Sequence, residues 1–556
     1  MRGVPLRNVR FVLPVVLSAA LLLAGCAGSP PGRSAPPSTG APAVAVRDPS
    51  SHTVLLDAED PVELALTTSQ AVYSRSEVVV LADADDEAAR EALAATAVAL
   101  HAPALLADAE GTGGGVVEEL ERLGARAAVV VTGDGPRAAG EDAAGADVEG
   151  DGDEPAGGDG AVSRRVADDA GIQALEVAPD VVEDEDGAGP TLEDDDLEDL
   201  GARLDALLGD GATPSAADGE DPRLLREVLA LVDPQEGQEA AIASLRAAGA
   251  VTVRVPDGDL GARRAVDTVD RAQALTVVGV GRSFGDAATF AWRVAAAERA
   301  ALLPTGSQHL LPARYVAVEA TVWDDPAAAV ARAQQAAAAY APPEEGEDDG
   351  ADGAADGPVV PTLVLPVSAT AGGPGDDGDW VAQEDVDALR PLVAAARDAG
   401  VYVLLDVGAG PGPVVEQVRR AEPLLRTPGV GVALRPESRV GDGASTVGHR
   451  MSAGELDEVT TYLADVVSRE GLPPSLLVVR QTRPESVPDR DRLRSLPQVE
   501  TVVLADLTGG STTGEWVWNQ VSADLPEGLH LGWSGPTAGA SSLVPSDPAP
   551  VLIAAS

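Results

Sequence analysis

The chain has 556 residues, 45% of them apolar but only 3% aromatic, enough for two or three domains with aliphatic cores. Its formal charge is -51, from 90 acidic residues against 39 basic ones, and every basic residue is arginine. This balance argues against nucleic acid, which needs a basic footprint, and against binding anionic headgroups or teichoic acids through bulk charge. The absence of lysine removes P-loop, Schiff-base and Ser-Lys chemistry.

A basic start (Arg2, Arg7, Arg10) and an apolar run over residues 11–23 lead into Leu23-Ala24-Gly25-Cys26. This is a secretory signal with a small-residue cleavage site, and the one cysteine of the chain stands at the cut. The arrangement predicts a bacterial lipoprotein signal peptide over residues 1–25, with the Cys26 thiol acylated and Cys26 as the new N-terminus. An ordinary signal peptide with a chance cysteine is the alternative. Two or more acyl chains anchor a protein stably, at about 0.8 kcal/mol per buried CH2. Residues 26–50, rich in Ser, Pro, Gly and Ala, read as a flexible tether. No later apolar run approaches the roughly 20 residues needed to span a bilayer. The expected location is the cell surface, on the outer face of the cytoplasmic membrane. With Cys26 acylated, no disulfide is expected.

A β-α-β-α-β unit follows. Apolar runs at 78–82, 104–106 and 128–132 read as strands, with helical spacing at 87–100 and 116–123. Gly124 supplies a helix stop and Gly133 closes the last strand. The same order returns with strands at 228–232, 251–255 and 275–278 and helices at 238–248 and 262–272. Strands alternating with helices predict right-handed crossovers and a parallel sheet, hence a Rossmann-like repeat domain over 51–300. A middle unit is expected between 164 and 209, blurred by acidic sequence. Acidic stretches at 141–159, 183–199 and 344–356 lack apolar periodicity and read as solvated, largely disordered insertions. Weak calcium binding is the alternative there, without the ligand spacing of a calcium loop.

From about residue 311 the β/α rhythm changes. Strands are predicted at 315–318, 362–365, 401–405, 430–434, 476–479, 501–504 and 529–532, and helices at 386–399 and 453–468. Seven strands fit a (β/α)8-barrel-like domain over 311–556 with one strand unseen. An open doubly wound sheet is the alternative.

Leu66-Thr67-Thr68-Ser69-Gln70-Ala71-Val72-Tyr73, Val78-Val79-Val80-Leu81-Ala82, His101-Ala102-Pro103-Ala104-Leu105-Leu106 and Val129-Val130-Val131-Thr132-Gly133 together resemble the type 2 cell wall-binding repeat of Gram-positive surface proteins. The match is good over about 62–135 and fainter to 285. The resemblance implies three packed modules and a cell-wall polymer or peptidoglycan fragment as partner. The second half resembles the barrel-like domain, of unknown activity, that follows such repeats in a group of actinobacterial lipoproteins. The carrying residues are Val360-Pro361-Thr362, Gly375-Asp376-Asp377-Gly378-Asp379-Trp380, Leu389-Arg390-Pro391, Gly400-Val401-Tyr402-Val403-Leu404-Leu405-Asp406, Pro428-Gly429-Val430-Gly431-Val432-Ala433-Leu434, Gly471-Leu472-Pro473-Pro474 and Gly532-Trp533. This chain departs from that group at four strand ends. Phe-Glu is replaced by Leu363-Val364, and Asp-Pro-Glu-Trp by Arg435-Pro436-Glu437-Ser438. His-Gln-Phe is replaced by Arg480-Gln481-Thr482, and His-x-Asp-Gly by Leu504-Ala505-Asp506-Leu507.

Barrel active sites lie at the C-terminal ends of strands. The candidate catalytic residues there are Asp406, Glu437 and Asp506, with Asp377 and Asp379 on a loop over the same face. Converging carboxylates are what glycoside hydrolysis requires, as acid and as base or nucleophile. Each also serves as well as a helix cap or solvated rim. Arg435, Arg480, Gln481 and Glu319 are candidate ligand contacts, and Trp380 and Trp533 candidate sugar platforms. Arginine cannot exchange protons near neutral pH, so Arg435 and Arg480 favour a degenerate barrel that binds an envelope glycan or peptide. An active carbohydrate-directed hydrolase is the alternative. His52, His101, His309, His449 and His530 lie far apart, and no metal or other cofactor is expected. Gly281-Arg282-Ser283-Phe284-Gly285 fits a nucleophile elbow, with Asp406 and His449 in hydrolase order, but reads equally as a glycine-rich turn.

The signal yields the first prediction. Cys26→Ser abolishes incorporation of a labelled fatty acid in cells, and equal labelling of wild type and variant removes the lipoprotein assignment.

Overall fold

Uninterrupted aliphatic runs become parallel strands covered on both faces, the usual fate of such runs when helices flank a sheet. The computed structural model describes residues 44–108, 113–133, 160–179, 181–183, 190–208, 224–341, 357–371, 373, 380–408, 412–438, 450–507, 514–535, 544–545 and 548–554. Val78–Asp83 lies between Ala104–Ala107 and Ala127–Val131 in one parallel sheet. Val228–Val232 lies between Val251–Arg254 and Thr276–Val280 in another. Each sheet takes a fourth parallel strand from elsewhere. Gln173–Val177 joins the first, and Thr53–Leu56 joins the second beside Thr276–Val280.

The two units share the close approach of a strand-closing glycine to the residue that precedes the first helix. Asp86 caps helix Glu87–Leu100 by accepting from the Ala89 amide at 2.9 Å, and Gly133 donates to the same carboxylate at 3.2 Å. In the second unit Gln238 stands before helix Glu239–Ala247 and Gly281 lies against it. A Cβ at position 281 would sit 2.5 Å from Gln238 Nε2, and φ there is +103°, so the repeat needs glycine. The two alanine-rich helices pack on each other across the units.

The expected middle unit builds no parallel sheet of its own among the described residues. Helix Ala161–Asp169 and strand Gln173–Val177 attach to the first sheet instead. Gln173, Ala174 and Glu176 are exposed, and the short apolar face of Leu175 and Val177 packs on the first core instead of starting a separate layer. Asp83 fixes the attachment, accepting from Ser163 N at 2.8 Å and Ser163 Oγ at 2.6 Å. A hairpin of Val181–Glu183 and Pro190–Leu192 and helix Asp194–Leu208 complete the stretch.

The second half is a closed barrel of eight parallel strands: β1 (Arg314–Glu319), β2 (Val359–Thr370), β3 (Tyr402–Gly408), β4 (Val430–Arg435), β5 (Ser475–Gln481), β6 (Val499–Asp506), β7 (Leu529–Ser534) and β8 (Leu552–Ala554). β1 pairs with both β2 and β8, which excludes an open doubly wound sheet. β8 is the unseen strand, only three residues long. Tyr315, Ala317, Val360, Val364, Tyr402, Leu404, Ala433, Leu476, Val478, Val502, Leu504 and Leu552 fill the interior. The Tyr315 and Tyr402 rings meet edge-to-face at 5.2 Å, and Tyr402 Oη accepts from the Leu476 amide at 3.0 Å. Gly431 makes room for that hydroxyl, since a Cβ there would stand 2.9 Å from it. The barrel is therefore a packed core, with no pore through it.

The halves touch. Trp292, on helix Ala287–Glu298, packs on Val467 and Leu472 of the barrel and donates from Nε1 to the Leu472 carbonyl at 2.9 Å. Between them, Gln308 Nε2 donates to the Ala296 and Ala301 carbonyls.

His52 holds the added strand Thr53–Leu56 in place. Its Nδ1 faces the Leu275 carbonyl at 2.9 Å and its Nε2 faces Glu298 at 2.8 Å. Both ring nitrogens meet acceptors, so the imidazolium satisfies both. The Leu275 carbonyl, and then Glu298, raise the His52 pKa above 6.5 against partial burial. A raised folded-state value means that stabilisation is fully present below about pH 6.5 and is lost as pH rises through the folded value. The urea midpoint of the wild type therefore falls toward that of His52→Gln as pH is raised from about 5.5 to about 8.5. A constant difference between the two across this window would show that His52 is not the titrating clamp.

Candidate functional site

Side chains alternate along each barrel strand between the interior and the helical layer. Residues in register with the interior core put Glu319, Asp406, Arg435, Arg480, Asp506 and Ser534 at the inward-facing C-terminal ends of β1, β3, β4, β5, β6 and β7. Asp406, Arg435, Arg480 and Asp506 thus lie on four neighbouring strands, above a floor that includes Leu404, Ala433, Val478 and Leu504. A bulge in β2 between Pro366 and Ser368 adjusts the adjacent rim, where Gly408 N donates to Ser368 Oγ at 3.1 Å.

The four charges pair. Arg435 Nε reaches Asp406 Oδ2 at 2.9 Å and Oδ1 at 3.2 Å, with Nη2 on the same carboxylate. Arg480 Nε and Nη2 reach Asp506 Oδ2 at 3.0 and 2.8 Å. Arg480, Asp506 and Asp406 are buried, whereas the Arg435 side chain is 39% exposed. Glu319 stands at the lip, its side chain 73% exposed and 3.6 Å from Arg435 Nη2. Burial pulls the Arg435 guanidinium down, but Asp406, Glu319 and Asp506 outweigh it, and the net shift is upward.

Glu437 does not join this group. It lies on the turn Pro436–Ser438 and accepts from Thr482 N at 2.9 Å, Thr482 Oγ1 at 3.0 Å and Ser486 Oγ, organising the loop after β5. Gln481 and Trp533 face the helical layer, one residue out of phase with the mouth. Gln481 is fully buried, its Oε1 3.4 Å from Arg490 Nη1. Trp533 is 5% exposed and packs edge-to-face on Trp518 at 5.7 Å. Neither is a mouth contact, in correction of the sequence expectation. Trp380 is half-buried beyond β2, in the left-handed region at φ +54°. Asp377, Asp379, His449 and Cys26, with the whole of the acidic segments 141–159 and 344–356, lie outside the described residues.

The glycine-rich turn is not joined to the barrel charges. Ser283 is exposed on the turn Arg282–Phe284, Arg282 pairs with Glu59, and Asp286 caps helix Ala287–Glu298 by accepting from Thr289 N at 2.7 Å. Asp406 is engaged by Arg435 in the barrel mouth. No group of three or more His, Cys, Asp or Glu side chains placed to hold a metal is present among the described residues.

Sequence reasoning overlooked two tryptophans. Trp323 follows β1 by four residues and is 90% exposed, and Trp516 opens helix Gly514–Ser522 after β6 and is 54% exposed. The available signal was their position in the connection after a strand.

No family model and no curated protein matches the chain. Among solved structures, Cwp6 from Clostridium difficile aligns over 70% of this chain at 12% identity, with a TM-score of 0.29. Cwp8 from Clostridium difficile aligns over 75% at 11% identity, with a TM-score of 0.18. The chain spans 66% of the length of the first and 52% of the second. Likenesses this distant carry no functional weight.

The buried pair yields a prediction. Arg480→Met strands the Asp506 carboxylate and destabilises the protein by about 3–5 kcal/mol. Adding Asp506→Asn recovers most of that loss, because no uncompensated charge remains. Urea unfolding of both variants measures it; equal destabilisation of single and double variant would show that the pairing is not what holds these groups.

Proposed function

We propose that the protein is a lipid-anchored cell-surface protein that associates with the cell wall through residues 51–300 and binds an envelope polymer, without cleaving it, at the mouth of the barrel over 311–556. The observation that carries the barrel reading is the fate of the carboxylates. Hydrolysis of a glycosidic bond needs two carboxyl groups free to face one bond. Asp406 and Asp506 each hold a guanidinium, and Glu437 is spent on a loop. Their role is to aim arginine. A carboxylate-bound guanidinium keeps its charge at every physiological pH and presents its remaining donors in a fixed plane, which suits an anionic group on a ligand.

The wall-association part rests on the resemblance of residues 62–135 to the cell wall-binding repeat and on the return of the same unit at 228–280. The anchor rests on Cys26 behind its signal. Glu319 is the mouth carboxylate left for the rival hydrolase reading, with Asp377 or Asp379 as its second group.

Wild-type protein lacking the signal sediments with purified cell walls and releases no soluble sugar. Arg435→Gln lowers the retention of soluble wall fragments by the barrel and also lowers the urea midpoint, because it strands the buried Asp406 carboxylate; adding Asp406→Asn restores the midpoint but not the retention. Release of reducing ends by the wild type, abolished by Glu319→Gln, would establish the hydrolase instead.

A further inference from the structure

The chain has six tryptophans. Three are core residues: Trp292, Trp518 and Trp533, at 3, 5 and 5% exposure. The other three, Trp323, Trp380 and Trp516, lie on connections that leave the C-terminal ends of β1, β2 and β6, around the mouth that holds Arg435. A chain this poor in aromatics has therefore placed every incompletely buried indole on one face of one domain.

Trp323 is displayed by a pinned turn. Thr321 N and Oγ1 donate to Asp324 Oδ2 at 2.7 and 3.1 Å, Asp324 N donates to the Thr321 carbonyl at 3.0 Å, and Arg332 Nη1 holds Asp324 at 3.1 Å. Asp325 then caps helix Pro326–Ala338. The turn is fixed on both sides, so the indole at its tip is held away from the protein surface instead of folding back on it.

We infer that this rim is a sugar-stacking platform, and that the mouth ligand is a carboxylated glycan whose rings lie on Trp323 and Trp516 while a carboxylate takes the place of Glu319 on Arg435. The inference rests on the binding function proposed above and names its ligand class. Flat apolar faces set singly among polar loops match the faces of pyranose rings, whereas a protein partner or a bilayer asks for continuous apolar area. The Arg435 guanidinium, partly exposed and braced by Asp406, supplies the partner for the acid.

The test uses the signal-free protein with three probes: polygalacturonate, poly-glutamate and vesicles containing phosphatidylglycerol. We expect polygalacturonate alone to bind. Trp323→Ala and Trp516→Ala each weaken that binding about tenfold, with the urea midpoint unchanged because both side chains are exposed. Equal binding of poly-glutamate, or tryptophan variants that bind like wild type, overturns the platform. If Arg435→Gln still loses binding in that case, the anion-binding reading survives on its own. Vesicle binding lost in Trp323→Ala reassigns the rim to lipid. A wild type that sediments with walls but ignores polygalacturonate overturns the ligand class while leaving wall association standing.

Discussion

A charge can be buried only in company, and the barrel of this protein is capped by four that depend on one another. Removing a carboxylate or guanidinium from water costs several kcal/mol, returned only by a well-placed opposite charge. Arg480 with Asp506 and Arg435 with Asp406 satisfy that condition on β3 to β6, over an aliphatic floor. The floor keeps water from beneath, so the pairs attract through a poorer screening medium than at an open surface. The direction of each guanidinium is then set by the carboxylate behind it, and the mouth gains fixed donors without net charge.

The same requirement separates mouth from wall along each strand. Arg480 faces the interior and finds Asp506, while Gln481, one residue later, is turned outward toward Arg490. Ser534 belongs to the interior register and its neighbour Trp533 to the helical one. Position at a strand end is visible in a sequence. The phase of the strand is not, because buried parallel strands are apolar on both faces and carry no alternation to read. That is why Gln481 and Trp533 were expected at the mouth alongside Asp406, Arg435, Arg480 and Asp506.

Much of the fold was legible for the complementary reason. Helix Glu87–Leu100 and strand Val228–Val232 end where their periodicity, caps and glycines end. What escaped depended on distant pairing. β8 is three residues that fill the edge left open between β1 and β7, with Leu552 and Ile553 buried on its two faces. Gln173–Val177 has a polar pattern that signals no sheet, and is held through Asp83 and an edge some 40 residues earlier in sequence. Thr53–Leu56 completes a sheet whose other strands lie far along the chain, with His52 as its clasp. None of these is a local property, so no window on the sequence contains it.

Net charge and mouth chemistry act at different ranges. At physiological ionic strength a charge is screened over about 8 Å, so the acidic body governs approach and the mouth governs contact. A polyanion meets repulsion before it meets Arg435, and gains from that guanidinium only when an acid reaches the plane that Asp406 has set. Glu319, 3.6 Å away, already occupies part of that space as an internal competitor. In the binding proposed above, a ligand would have to outbind this tethered carboxylate. If the mouth binds as proposed, the arrangement would trade affinity for selection by shape, to which the pinned turn of Trp323 would add at the rim.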